Sequence, residues 1–301
     1  MLRKALLILV TVVVAIGLLS LLAFWSHLNP PSTVSRVSPG DFDLAYEDIQ
    51  LQTEDGLTLA GWFIPQLEQQ PDSEAPTIIV LHGWPEDKGS VLRAALPLLD
   101  HYNLLLFDFR ALGRSEGRHS TLGAREIKDV QAALDWLDRR DISEVGVWGF
   151  SMGGAVALMT AAQDPRIKAV ATDTSFARLD IMARDLFRVP VVSHGMALGM
   201  RLWSRLFLGI DIRQVAPVDA VASLQAPALL IHLRHDHFVP FHHAEMLEQA
   251  LKDHPHAEFW FRDHGAYGQV PSDYVKRLQV FFQHHLQGIG EASAQPGPQP
   301  E

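Results

Sequence analysis

One stretch constrains this chain more than any other: Val145-Gly146-Val147-Trp148-Gly149-Phe150-Ser151-Met152-Gly153-Gly154. An apolar, strand-like run enters Gly149-x-Ser151-x-Gly153, and a small-residue helix, Ala155-Val156-Ala157-Leu158-Met159, leaves it. Strand, sharp turn and helix in that order put a serine on strained backbone at the edge of a sheet. The residues two before and two after the serine must be small, or they collide across the turn, and Gly149 and Gly153 meet that demand. The pentapeptide alone is a weak signal. Its place between a buried strand and a helix makes it a strong one, provided the rest of the chain supplies partners for the serine.

The chain has 301 residues, enough for one large α/β domain with additions. Its formal net charge of -10 argues against a general nucleic-acid role. It has no cysteine, which excludes disulfides, thiol nucleophiles and Cys-ligated metals. Ala5 to Phe24 is uncharged and almost wholly apolar, long enough to cross a bilayer as a helix. Arg3 and Lys4 precede it and no basic residue follows until Arg36, so the charge bias keeps the N-terminus cytoplasmic and the domain extracytoplasmic. A cleaved signal peptide is the competing reading, but the run exceeds a usual apolar core and no clear A-x-A site follows. The expected layout is a start and single-pass anchor over 1–26, outside the globular fold, and a Ser/Pro-rich linker over 27–42. A domain over 43–287 and a disordered tail over 288–301 complete it.

Within the domain, Asp43 to Gln52 and Leu57 to Ile64 read as strands joined by the turn Glu54-Asp55-Gly56. Thr77 to Leu81 and Leu104 to Phe107 are continuous apolar runs, as strands covered on both faces should be. Lys168 to Thr172, Ala228 to Ile231 and Ala257 to Phe261 complete eight strands with the serine's own. Helices are expected at Val91 to Leu99, Glu126 to Arg139, His243 to Leu251 and Ser272 to His285. The alternation implies a mostly parallel sheet wrapped on both faces, with an antiparallel hairpin at one edge. About 176–216 breaks the alternation with apolar helical segments carrying Arg184, Arg188, Arg201 and Arg205. That insertion suits a lid over the strand ends. Extra core packing and a basic, apolar surface leaning on a membrane are the alternatives.

A serine hydroxyl needs a base, and the base an orienting acid. Asp236 lies in the loop after the Ala228–Ile231 strand and His264 in the loop after the Ala257–Phe261 strand, in the order Ser, Asp, His. Asp263 is the rival acid, but neighbours on extended backbone point apart. Two backbone N–H groups are expected to hold an oxyanion: that of Met152, next to the serine, and that of Trp84 in His82-Gly83-Trp84-Pro85. His235-x-His237, His242-His243 and His254-x-His256 lack the spacing of a helical zinc site, so no metal is expected. Nothing in the residues calls for a cofactor.

These pieces together resemble the α/β-hydrolase superfamily, and within it the membrane-anchored serine hydrolases of the serine aminopeptidase-like and ABHD-type branch. The matching residues are Asp55-Gly56-Leu57-x-Leu59-x-Gly61-Trp62, His82-Gly83, Asp108-x-Arg110-x-x-Gly113-x-Ser115-x-Gly117 and Gly149-Phe150-Ser151-Met152-Gly153-Gly154. Asp173-x-Ser175, Asp236-x-x-Val239-Pro240, His264 and Pro271-x-x-Tyr274 follow. The resemblance implies an α/β-hydrolase fold with Ser151 as nucleophile, His264 as base and acid, Asp236 as orienting acid, and Trp84 and Met152 as oxyanion donors. It implies a structural role for the Asp108–Gly117 loop. It departs from the family at Leu233 and Ala111, where glycine is common, which bears on loop geometry. The expected activity is hydrolysis of a small or lipid-like acyl compound, an ester first, with thioester, amide and acyl transfer open. Peptidases, amidases and cofactor-free haloperoxidases share the family. A membrane-tethered binding protein on the same fold is the rival reading.

Overall fold

The computed structural model describes residues 1–30, 34–67, 75–187, 190–265 and 269–286. The expected tail, 288–301, lies outside the described residues. The elements run α1 (Leu2–Leu28), β1 (Glu47–Gln52), β2 (Thr58–Ile64), β3 (Thr77–Leu81), α2 (Lys88–Ala95), β4 (Asn103–Phe107), α3 (Glu126–Asp138) and β5 (Val145–Phe150). Then come α4 (Met152–Ala161), β6 (Ile167–Asp173), α5 (Leu179–Asp185), α6 (Pro190–Leu208), α7 (Pro217–Ala220), β7 (Ala228–Leu233), α8 (His242–Leu251), β8 (Ala257–Arg262) and α9 (Ser272–Leu286).

All eight strands form one sheet in the order β1-β2-β4-β3-β5-β6-β7-β8. β1 and β2 make the expected antiparallel hairpin, and β2 lies antiparallel to β4. Every pairing from β4 across to β8 is parallel. β3, β4 and β5 are buried at every position, which explains why their sequences read as unbroken apolar runs. The pleat sorts them. Ile79 and Leu81 join the core under α3, α4 and α8, while Ile78 and Val80 join the core under α2 and α9.

The helix expected at Val91–Leu99 starts earlier and ends as a 3-10 turn. Asp87 accepts the Ser90 N–H and caps α2 one turn before the apolar stripe, and Pro97 breaks the regular helix into Leu96–Leu98. The expected structural loop after β4 is a network of buried charge. Asp108 accepts from the Lys88 ammonium at 2.6 Å and from the Arg114 N–H at 2.8 Å. The Arg110 guanidinium joins Asp129 and Asp55. Ala111, where glycine is common, takes a positive φ of 61°, and Leu233 is buried at the end of β7.

α1 is long and apolar enough to cross a membrane, with mean hydropathy 3.0. The helix continues through His27 and Leu28, and its last turns join the domain: Phe24 and Leu28 are 4% and 2% exposed, inside the main core. The segment that follows is tied to the domain as well. The Asn29 side chain bonds His119 Nδ1 at 2.7 Å, Ser35 N–H donates to Asp87 at 2.6 Å, and Pro39–Phe42 forms a 3-10 turn. An all-round apolar helix carries no stripe to reveal which of its residues pack against protein.

Candidate active site

β5 ends at Phe150 and α4 begins at Met152, so Ser151 makes the whole turn, with φ 49° and ψ -113°. Its N–H donates to the Asp173 carbonyl at 2.9 Å and fastens the turn to β6. A Cβ on Gly153 would stand 2.6 Å from the carbonyl oxygens of both Leu81 and His82, and one on Gly149 would run into the Gly153 carbonyl. Crowding therefore favours glycine at both positions.

The loop after β3 is held by a residue to which the sequence assigns no role. His82 is wholly buried. Its Nε2 accepts the Phe109 N–H at 3.0 Å, which leaves Nδ1 to donate to the Gly83 carbonyl at 2.7 Å. Burial lowers its pKa and keeps it neutral. Both nitrogens are committed, so His82 positions the Gly83-Trp84 backbone and takes no part in proton transfer. The Met152 N–H is among the first-turn donors that α4 leaves without an intrahelical partner. Trp84, Ser151 and Met152 line one cavity of about 610 Å³.

Asp236 lines the same cavity. Its Oδ1 accepts the N–H groups of Phe238 and Val239 at 2.7 and 2.8 Å, leaving Oδ2 for another donor. His232 Nε2 donates to the Val239 carbonyl at 3.0 Å and closes the loop across its neck. His264 stands two residues past Arg262, which pairs in register with Leu233, so Asp236 and His264 follow adjacent strand ends. The His264 side chain is exposed. Among the described residues it makes no hydrogen bond to Ser151 or Asp236, and residues 266–268 of its loop lie outside the description. The structure thus brings Ser151, Trp84, Met152 and Asp236 to one cavity and leaves His264 at its strand end. Asp263 sits in an exposed ion pair with Arg234 at 3.3 Å. Asp173, buried beneath the serine, accepts the Thr174 hydroxyl at 2.8 Å, and burial pushes its pKa up to about 6.

Above the serine the cavity is walled by Phe176, Leu179, Met182 and Leu186 of the insertion, by Met200 and Ser204 of α6, and by Phe24, His27 and Leu28 of α1. The His27 ring stacks on Trp84 at 5.0 Å, with 10° between the planes. Asp185, at the end of α5, also lines the cavity and bonds His242 Nε2 at 2.9 Å and His243 Nε2 at 3.1 Å. These three groups are close enough to hold a cation. However, His243 Nδ1 accepts the Ala177 N–H at 3.0 Å, so its Nε2 carries the proton and faces Asp185 as a donor. A protonated nitrogen is no ligand, and the cluster acts as a latch between α5 and α8. Between β6 and α7 the chain carries α5 and α6, and residues 188–189 lie outside the description. No signal for α1 in the cavity wall was read from the sequence, although the spacing Gly195-x-x-x-Gly199 was available.

The family model described as the alpha/beta hydrolase fold matches residues 76–194. The chain is 32% identical over 222 residues to the alpha/beta hydrolase domain-containing protein WAV2 of Arabidopsis thaliana, covering 70% of this chain and 68% of that one. The solved structure of the Pyrococcus furiosus esterase Pf2001 superposes with TM-score 0.70 at 27% identity, covering 86% of this chain and all of the other. An acylaminoacyl peptidase of Pyrococcus horikoshii shares the fold at TM-score 0.61 and 19% identity, over 83% of this chain and 43% of that one. With its sheet order, its strained serine turn and these relatives, the chain belongs to the α/β-hydrolase superfamily.

Proposed function

We propose that this hydrolase-fold protein is a serine hydrolase that cleaves a carboxylic ester of an apolar acyl group through a covalent acyl-enzyme. The observation that carries the reading is Ser151 on its strained turn, lining an apolar-walled cavity that Asp236, Trp84 and Met152 also line. In this reading His264 turns inward and takes the Ser151 proton as Oγ bonds the acyl carbon. The oxyanion is held by the Trp84 and Met152 N–H groups. The C–O bond to the alcohol breaks, and His264 gives that alcohol the proton. Water, deprotonated by His264, then cleaves the acyl-enzyme, releases the acid and restores the Ser151 hydroxyl. Asp236 Oδ2 accepts from the imidazole and fixes its tautomer. The esterase Pf2001 lends support, since it shares the fold at 27% identity.

The test is turnover of p-nitrophenyl esters from acetyl to palmitoyl by the full chain, with fluorophosphonate labelling alongside. Ser151→Ala should abolish labelling and lower kcat by about six orders of magnitude. Asp236→Asn should cost about 10⁴, and Asp263→Asn almost nothing. Undiminished turnover in Ser151→Ala would end the reading, and a larger loss in Asp263→Asn would reassign the acid.

A further inference from the structure

Ser20, Phe24 and Leu28 are the buried residues of α1, and α6 lies along this stretch. Gly195 and Gly199 stand four apart on α6. A Cβ on Gly195 would lie 2.9 Å from Ile16 Cγ2, and one on Gly199 would collide with Ser20. The Trp203 indole N–H donates to Ser20 Oγ at 3.0 Å, and Phe207 stacks on Phe24 at 6.3 Å. The contacts advance in step along both sequences, so the helices run parallel and close. Gly-x-x-x-Gly contact joined by a polar cross-bond is the way helices associate in lipid.

Depth follows from length. About 20 apolar residues cross the hydrocarbon layer. Counted from Ala5, such a span ends at Phe24, so the part of α6 beside Ile16–Phe24 lies at hydrocarbon depth. There α6 exposes a stripe of leucines at four-residue spacing: Leu198, Leu202 and Leu206 are 66%, 56% and 66% exposed. The arginines on α6 are not bare charges, since Arg201 and Arg205 both bond Asp211. The same two helices supply Phe24, Leu28 and Met200 to the cavity above Ser151.

We propose that α6 sits in the bilayer against α1 and that the cavity receives its substrate from there, so that the substrate is a membrane-resident acyl ester. The occupant of the leucine stripe is lipid, because the stripe lies alongside the chain's own candidate span. The substrate half rests on the hydrolase reading above; the seating of α6 does not.

The chain has no cysteine, so Leu202→Cys gives a single labelling site. The full-length variant, carrying a nitrobenzoxadiazole label in phosphatidylcholine vesicles, should emit blue-shifted light that doxyl-lipids quench. Val280→Cys on the exposed face of α9 should do neither. Water-like emission at Leu202, or a blue shift that doxyl-lipids leave unquenched, would overturn the seating, the latter showing a protein on the stripe. A second variant changes Leu198, Leu202 and Leu206 together to Lys. It should lose about tenfold or more against a long-chain ester carried in vesicles and keep its rate on p-nitrophenyl acetate. Equal rates on both esters, or equal losses, would overturn delivery from the bilayer. Quenching at Leu202 with no hydrolysis of any ester and no fluorophosphonate labelling would overturn the hydrolase reading and uphold the seat.

Discussion

Gly153→Ala adds one methyl group at the point where α4 crosses the end of β3. The new Cβ would lie 2.6 Å from two backbone oxygens, those of Leu81 and His82, while ordinary contact begins at 3.4 Å. Neither oxygen belongs to a side chain that can swing aside, so strand and helix must part by about 0.8 Å, an overpacking that costs about 1–3 kcal/mol. For a domain of this size that is roughly 2–12 °C in Tm. Ser151 and Met152 ride on α4, and Trp84 follows His82. The same movement therefore widens the gap between the serine and the Trp84 N–H that we propose as an oxyanion donor, a loss expected to be worth about 10²–10³ in kcat. Gly40→Ala is the matched control, since its Cβ would meet nothing nearer than 3.7 Å. The assay is thermal unfolding with kcat for p-nitrophenyl butyrate, both proteins in the same detergent. Wild-type Tm and kcat in Gly153→Ala would refute the argument from crowding.

Burial, and after it the neighbouring His242, hold the His243 pKa down at about 4. The unfolded chain therefore binds more protons than the folded one between pH 6.5 and 4, and this residue's contribution to stability is lost as pH falls through that window. The contribution is at most about 3 kcal/mol. His243→Phe should cost about 1–3 kcal/mol at pH 8 by stranding the Ala177 N–H, yet unfold with a shallower acid dependence in urea titrations. An unchanged slope would refute the latch chemistry. Leu28→Trp should shorten the acyl chain preferred in the p-nitrophenyl series by roughly two methylenes, the added volume of the indole. An unaltered chain-length profile would remove α1 from the acyl wall.

Most of the sheet was legible because β3, β4 and β5 are buried on both faces and spell that burial out as unbroken apolar runs. The serine turn was legible because crowding at Gly149 and Gly153 leaves few residue choices. The Asp236 and His264 loops could be placed by chain order, since each follows the end of a strand. The imidazole's contacts could not be placed, since they depend on loop conformation. The role of α1 escaped for a different reason. Its partner Trp203 lies 183 residues from Ser20, and a helix apolar on every face gives no period to read. His82 was visible as part of a motif, but its function lies in which nitrogen accepts and which donates, and a sequence does not encode that locally.

The backbone at Ser151 carries one further consequence. With φ at 49° and ψ at -113°, this residue occupies a region that suits glycine and costs other residues about 1–3 kcal/mol. Ser151→Gly should thus yield a chain more stable than the native one and chemically silent. On the hydrolase reading proposed above, thermodynamics and chemistry select different residues at this position, and the serine stands against the preference of its own backbone. A chain serving only as a membrane-tethered binding module would gain by giving that residue up. Keeping serine there, at a cost in stability, fits the proposed catalytic role better than a binding role.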